Sequence, residues 1–493
     1  MLATLLHSFN WKLGHGLNPN KVDTEEKRAK LPPGPKPRPI IGNIHLLSSK
    51  PHRSVANLSK TYGPLMSLRL GSITTIVISS TDVAKEMFFK HDLAFASRHV
   101  PDAIRILGHI ESSMVWLPVC PKWRHLRRIL AIQLFTNERL DASQELRKKT
   151  VDELVKFAKG CCEKGLAIDI GKAAFTTSLN LLSNTFFSID QSSYDSLGSR
   201  EFKDLVWHMM EEGGRPNVSD FSPLLRPLDL QGVRRRARGY FCKILGVFEK
   251  IIDERLRDQM GTKDDVLGTL LNLVKEDELS LHDVKHMLAD LFIAGTYTTS
   301  STVEWAMTEM LRHPEKVIQA QAEIDQVLGK RHSNSIQESD ISKLPYIRAV
   351  VKETLRLHPP APFLVPHKTT MDVELCGHRV PKDAQVWVNV WSMGRDPSIW
   401  HNNPDSFVPE RFLEIDIDVK GRNIKLIPFG TGRRICPRMS LGYRMVHLML
   451  AALLHSFNWK FDHGLNPKDV DVEEKFGITL QKAQPLQAIP LPR

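Results

Sequence analysis

The sequence predicts a mainly α-helical protein with small β-sheets, and three stretches carry that expectation. Leu65–Leu70 and Thr74–Ile78 alternate in β fashion around Gly71-Ser72, the pattern of a hairpin. From about Asp82 onward, apolar residues recur at helical spacing. The longest such run opens at Ser280, where Asp283 completes a capping box, and ends at Arg312 ahead of His313-Pro314; at about 30 residues it matches the diameter of a domain.

Composition narrows the class. At 493 residues and 42% hydrophobic content the chain can bury a large core. Its six cysteines (Cys120, Cys161, Cys162, Cys242, Cys376, Cys436) are too scattered for a disulfide framework, and no CxxC or His-x3-His spacing suggests zinc, so a reducing compartment is expected. The formal charge of +11 suits a membrane surface or an acidic protein partner. No basic tract interleaved with aromatics supports nucleic acid. No run of about 18 or more apolar residues occurs, so no transmembrane anchor is expected and the chain reads as peripheral or soluble.

Taken in order, the chain opens on an anomaly. Residues 1–27 realign with residues 449–475 and differ only at positions 4, 13, 14, 20, 21 and 24. Two copies at opposite ends are not a stacking repeat, so residues 1–30 read as a fused or duplicated gene segment without chemistry of its own. Leu31 to Pro39 (LPPGPKPRP) is a stiff, extended strap where the domain proper, 31–493, begins. After the hairpin, Trp123 and Arg127 fall four apart on one helix face, able to hold a carboxylate together. Residues 144–290 are helical with polar interruptions. In the long helix, Ala294-Gly295-Thr296-Tyr297-Thr298-Thr299 is poor helix material, and a kink or widened, hydroxyl-lined groove is expected there. Glu353 and Arg356 are placed to pair at i and i+3, with Arg411 of Phe407–Phe412 able to join them. Last comes the loop from Pro428 to Arg438 (PFGTGRRICPR), where Pro437 suits the first position of a helix over Met439–Phe457. Cys436 there, near a helix N-terminus and Arg433/Arg434, is either an ionised ligand or nucleophile, or an inert buried thiol.

The strap, Trp123-x3-Arg127, Ala294-Gly295 to Thr299, Glu353-x2-Arg356 with Phe407–Phe412, and Phe429-x2-Gly432-x-Arg434-x-Cys436 stand in the order seen in a known family. From about Leu31 onward the chain resembles a cytochrome P-450, a haem-thiolate monooxygenase. Pro366-His367-Lys368 and the stretch from Val390 to Asp396 look like the plant microsomal type, near the terpenoid hydroxylases related to geraniol hydroxylase and ferruginol synthase.

The resemblance implies a single-domain P-450 fold with haem b between the long central helix and the cysteine loop. Cys436 would be the axial ligand to iron, Phe429 would pack beside its sulfur, and Arg434, Trp123, Arg127 and His367 would bind the haem propionates. Thr298 and Thr299, with Tyr297, would handle protons. Ile104, Ile106, Phe292, Ala294, Gly295, Phe363, Leu364 and Ile478 would wall the substrate pocket. Glu353, Arg356 and Arg411 would form a buried structural network. The implied partners are a hydrophobic small molecule, O2, and an NADPH-cytochrome P-450 reductase, at the cytosolic face of the endoplasmic reticulum membrane.

Two residues depart from the family pattern. Tyr297 stands where an acid precedes the key threonine, and Arg438 where a glycine follows the cysteine by two. They keep open two alternatives to a terpenoid monooxygenase: a haem-thiolate isomerase or dehydratase acting on an oxygenated substrate, and a catalytically impaired haem-binding protein.

Overall fold

The protein is described by a computed structural model covering residues 30–189, 194, 197–257, 265–329 and 335–493. The N-terminal copy of the repeat lies outside the described residues. Its counterpart at 449–475 forms the end of the last helix (Met439–Ser456), the strand Asn458–Phe461 and most of the strand Glu474–Phe476.

Helices dominate, as their apolar periodicity requires, and the long central helix Leu281–Arg312 is their axis. Its N-terminus carries the expected capping box, with Ser280 accepting from Asp283 N while Asp283 accepts from Ser280 N. It packs on Ile170–Phe187, Val233–Arg257, Pro345–Leu357 and Met439–Ser456. Ile170–Phe187 is buried almost all round, since its one charged residue, Lys172, sits in the first turn and the rest are apolar or small hydrogen-bonding side chains.

The helix runs unbroken through Ala294–Thr302, and its threonine hydroxyls line the cavity on this face while bonding back to carbonyls four residues earlier. Thr298 Oγ1 donates to Ala294 O at 2.7 Å, Thr299 Oγ1 to Gly295 O at 3.0 Å and Thr302 Oγ1 to Thr298 O at 2.9 Å.

The hairpin pairs Leu65–Leu70 with Ile73–Ile78, in register from Leu65↔Ile78 to Leu70↔Ile73. Gly71, at φ +57°, makes the turn. The sheet continues in the order Ile73–Ile78, Gln385–Val388, His367–Lys368, Ser97–Arg98, so two short, distant segments end side by side. The proline strap is pinned along the first strand: Ser67 N donates to Pro33 O at 2.8 Å and Ser67 Oγ to Pro32 O at 2.7 Å.

In the cysteine loop, Gly430 (φ +71°) and Gly432 (φ +66°) take the left-handed conformation that an L side chain resists. The helix beyond begins at Met439 with Arg438 as its cap, so Pro437 lies just outside the first helical position it was expected to fill. Among the described residues, no helix is long and apolar enough to cross a membrane.

Candidate functional site

The cysteine loop, the central helix and the segment after Pro345–Leu357 enclose a cavity of about 240 Å³. Cys436 lines it, held by its own N–H donating to Phe429 O at 2.9 Å, and Phe429 lines it as well. Burial pushes the Cys436 thiol up, opposed by the Arg438 backbone N–H and by the charges of Arg438 and Arg127. Cys436 is half-buried and faces the cavity, where a bound cation would favour its anion.

One side of the cavity gathers cations. Arg98, Arg127, Arg434 and His367 all line it. Arg434 donates to Ala96 O at 2.7 Å, to Met114 O at 3.3 Å and to Leu117 O, and its guanidinium lies 4.4 Å from the Trp123 ring. Trp123, on the helix Pro121–Ile129, bonds to Met114 O at 3.0 Å and does not itself line the cavity. Arg127, one turn on, donates to Ile435 O beside the cysteine. Arg98 donates to Val365 O, while its Nε is buried without a partner. His367 Nδ1 bonds to Phe95 O at 2.8 Å.

Among the described residues, none of these three arginines lies within 4.0 Å of a carboxylate. Burial, with Arg127 nearby, holds Arg434 down to about 10; burial and then Arg434 and Arg127 lower Arg98, and burial and then Arg98 lower His367 well below its ordinary value. Clustered buried cations that partner only carbonyls call for an anion. Haem brings two propionates and an iron seeking a thiolate, and the orphaned Arg98 Nε together with the Cys436 sulfur fits that donor set. Arg98 escapes sequence reasoning: it stands in a two-residue strand with no motif spacing, and only its register opposite His367 brings it to the cavity.

The distal wall is the central helix, where Ala294, Gly295, Thr298, Thr299 and Thr302 face the cavity, joined by Leu364 across it. Asp290 also lines it, with Ser113 Oγ donating at 2.8 Å. A lone carboxylate in an otherwise apolar helical run was the signal that could have found it.

Other expected residues point elsewhere. Tyr297 does not line the cavity: the facing stripe runs through Leu291, Ala294/Gly295, Thr298/Thr299 and Thr302, and Tyr297 projects about 100° from Thr298 on the side opposite Thr299. Its ring stacks on Trp207 at 5.5 Å, its hydroxyl donates to Gln481 Oε1, and burial pushes it well above its ordinary value. Phe292 is absorbed in an aromatic core with Phe248 (5.1 Å), Phe187 (5.3 Å) and Phe186 (5.5 Å). Phe363 stacks on Trp387 at 4.7 Å. Ile104 and Ile478 pack together over Gly213, and Ile106 is buried in the main core, so none of the three lines the cavity.

Beneath the cavity, Glu353 and Arg356 form a fully buried, two-bond pair at 2.6 and 2.7 Å, and Val408 N donates to Glu353 at 2.7 Å. Arg411 Nε lies 3.5 Å from Glu353, and Arg356 also reaches Pro404 O and Ser406 O. The pair thus ties one helix to the segment that leads into the cysteine loop.

Comparison with known proteins adds to this geometry. A family model described as Cytochrome P450 matches residues 32–487. The chain is 56% identical to cytochrome P450 monooxygenase 76AD131 of Lophophora williamsii, over 98% of this chain and 97% of that one. It is 52% identical to geraniol 8-hydroxylase of Swertia mussotii (94% of each) and 53% identical to that of Catharanthus roseus (93% and 94%).

Proposed function

The chain belongs to the cytochrome P450 family and is a monooxygenase; from that premise we propose that it hydroxylates a small terpenoid, using O2 and electrons passed from NADPH by a reductase. The observation that carries the reading is the cavity itself, with one thiol, a cluster of carboxylate-free arginines, and a wall of Leu291, Ala294 and threonine hydroxyls joined by apolar Leu364 and Val365. Its likeness to two geraniol 8-hydroxylases supports an isoprenoid substrate.

When bound, haem supplies the oxidising chemistry on O2. The chain's own residues do the rest. Cys436 would ligate its iron, and Arg98, Arg127, Arg434 and His367 would hold its propionates. Leu291, Ala294, Leu364 and Val365 exclude water and orient an apolar chain. Thr298 holds a hydroxyl at the cavity face, anchored on Ala294 O, where it can pass a proton to or from a cavity water.

Membrane association is supported by an exposed apolar patch. Leu224 is 94% exposed, and Ile40, Leu228 and Leu230 are more than half exposed. The hairpin turn joins them, since Gly71 N donates to Ile41 O at 3.2 Å and Ser72 N to Phe221 O at 2.8 Å. Such a patch, with Arg226 between Leu224 and Leu228 and Arg38 two residues before Ile40, suits an anionic lipid surface, and the +11 charge suits an acidic reductase.

The test is reconstitution with NADPH-cytochrome P-450 reductase, geraniol and isotopically labelled O2. The expected product carries one labelled oxygen and disappears without NADPH. Conversion of a fatty hydroperoxide without reductase, with no NADPH-dependent product across a terpenoid panel, would overturn the reading in favour of a rearranging enzyme.

A further inference from the structure

We propose that Arg438 is a brace built across the cofactor cavity, and that haem seats only by displacing its guanidinium from the central helix. The inference rests on reading this cavity as the haem site.

Arg438 caps the helix that follows the cysteine, and from there its side chain crosses to the opposite wall. Its Nη1 donates to Leu291 O. A Cβ at Gly295 would coincide with the guanidinium, so the arginine occupies the space that glycine leaves open on the central helix. Arg438, Gly295, Leu291 and Cys436 all line the same cavity. A planar group reaching from Cys436 toward Gly295 and the side chain of Arg438 therefore compete for one volume.

The brace keeps one bond, to the Leu291 carbonyl, and leaves its Nε open. Its Nε is buried without a partner, and no carboxylate lies within 4.0 Å among the described residues. Its nearest compensation is the Leu291 carbonyl and the Phe135 ring at 5.7 Å. Unlike Arg98, Arg127 and Arg434, which approach the cavity from one side, Arg438 spans it. The three rim arginines recruit an anion, whereas Arg438 holds the two walls together in its place.

The prediction has two readouts of opposite sign. Arg438→Gly removes the competitor, so the apparent dissociation constant for haem tightens about tenfold or more, the size of one charge-assisted hydrogen bond that no longer has to be broken. The same substitution removes the tie to Leu291 O, so the haem-free chain melts at a lower temperature. A residue that merely supported the fold would lower both.

The experiment titrates the purified haem-free chain with haem and reads the Soret band, haem content by pyridine haemochromogen, and the melting temperature without haem. Arg438→Ala is run alongside, since it deletes the guanidinium without adding backbone freedom at the cap. Tighter haem binding with lower haem-free stability in either variant supports the brace. Equal affinity within about twofold of the parent, weaker affinity, or no haem binding by any of the three overturns it. Because substrate and reductase are absent, the outcome is separate from that of the hydroxylation assay: a variant that fills with haem and gives a thiolate-type reduced carbon monoxide spectrum, yet makes no product, leaves the brace standing and removes the proposed reaction.

Discussion

Glu304, on the central helix, accepts a 2.9 Å bond from Leu486 N and lies against Gly171. Burial raises its pKa to about 7, the Leu486 bond opposing and Asp169 adding to the rise. The folded chain therefore binds this proton more tightly than the unfolded chain, whose carboxyl titrates near 4.5. Stability attached to the proton is fully present below about 4.5 and is lost as pH rises toward 7, by up to about 3 kcal/mol. Glu304→Gln should keep the acceptor, flatten that decline, and raise the melting temperature at pH 8 relative to the parent while changing it little at pH 4. Tyr297 gives a second residue-scale expectation. With its hydroxyl bonded to Gln481 and no atom on the cavity, Tyr297→Phe should cost about 1 kcal/mol in denaturant unfolding and leave product per NADPH unchanged. A loss of coupling would put the phenol back in the proton path.

At the scale of elements, the central helix and the Glu353–Arg356 pair do different work. Thr298 sits on a helix held by packing on both sides, so Thr298→Ala should leave stability within about 0.5 kcal/mol while removing the cavity hydroxyl. Its expected signature is a fall in product per NADPH with haem content unchanged. Arg356 is different, because it is wholly buried against Glu353 and also satisfies backbone carbonyls of the segment leading to the cysteine loop. Arg356→Met strands a buried carboxylate, and a loss of about 3–5 kcal/mol is expected, read as an earlier urea midpoint. Haem retention should fall with it, since the segment that presents Cys436 is no longer tied down.

At the scale of the molecule, the apolar patch at the strap, the hairpin turn and residues 223–230 is the feature that reaches beyond the chain. Exchanging Leu224, Leu228 and Leu230 for serine removes three exposed side chains, each worth about 1.5–3 kcal/mol when buried in lipid. Co-sedimentation with anionic vesicles should weaken by about a hundredfold or more, with the haem cavity unaffected. Unchanged sedimentation would mean that the patch is not the membrane contact.

Much of this architecture was legible in the chain because its signals are short-range. The hairpin, the capping box and the Glu353–Arg356 spacing depend on residues within a turn or two of each other, and local geometry suffices to join them. The resemblance carried Cys436, Phe429, Arg127, Arg434 and His367 to one place, and the structure sets all five on one cavity. What the sequence by itself determined was thus the element types, with Cys436 as a candidate ligand that the structure sets on the cavity. Tertiary structure alone decided direction and reach. It turned Tyr297 and Phe292 into the core and brought Arg98 opposite His367. It also stretched Arg438 from its cap to Leu291 O. Which face of a helix meets a cavity, and how far a long side chain travels, depend on the elements packed against it, and the bond from Arg438 to Leu291 O joins residues 147 apart in the chain.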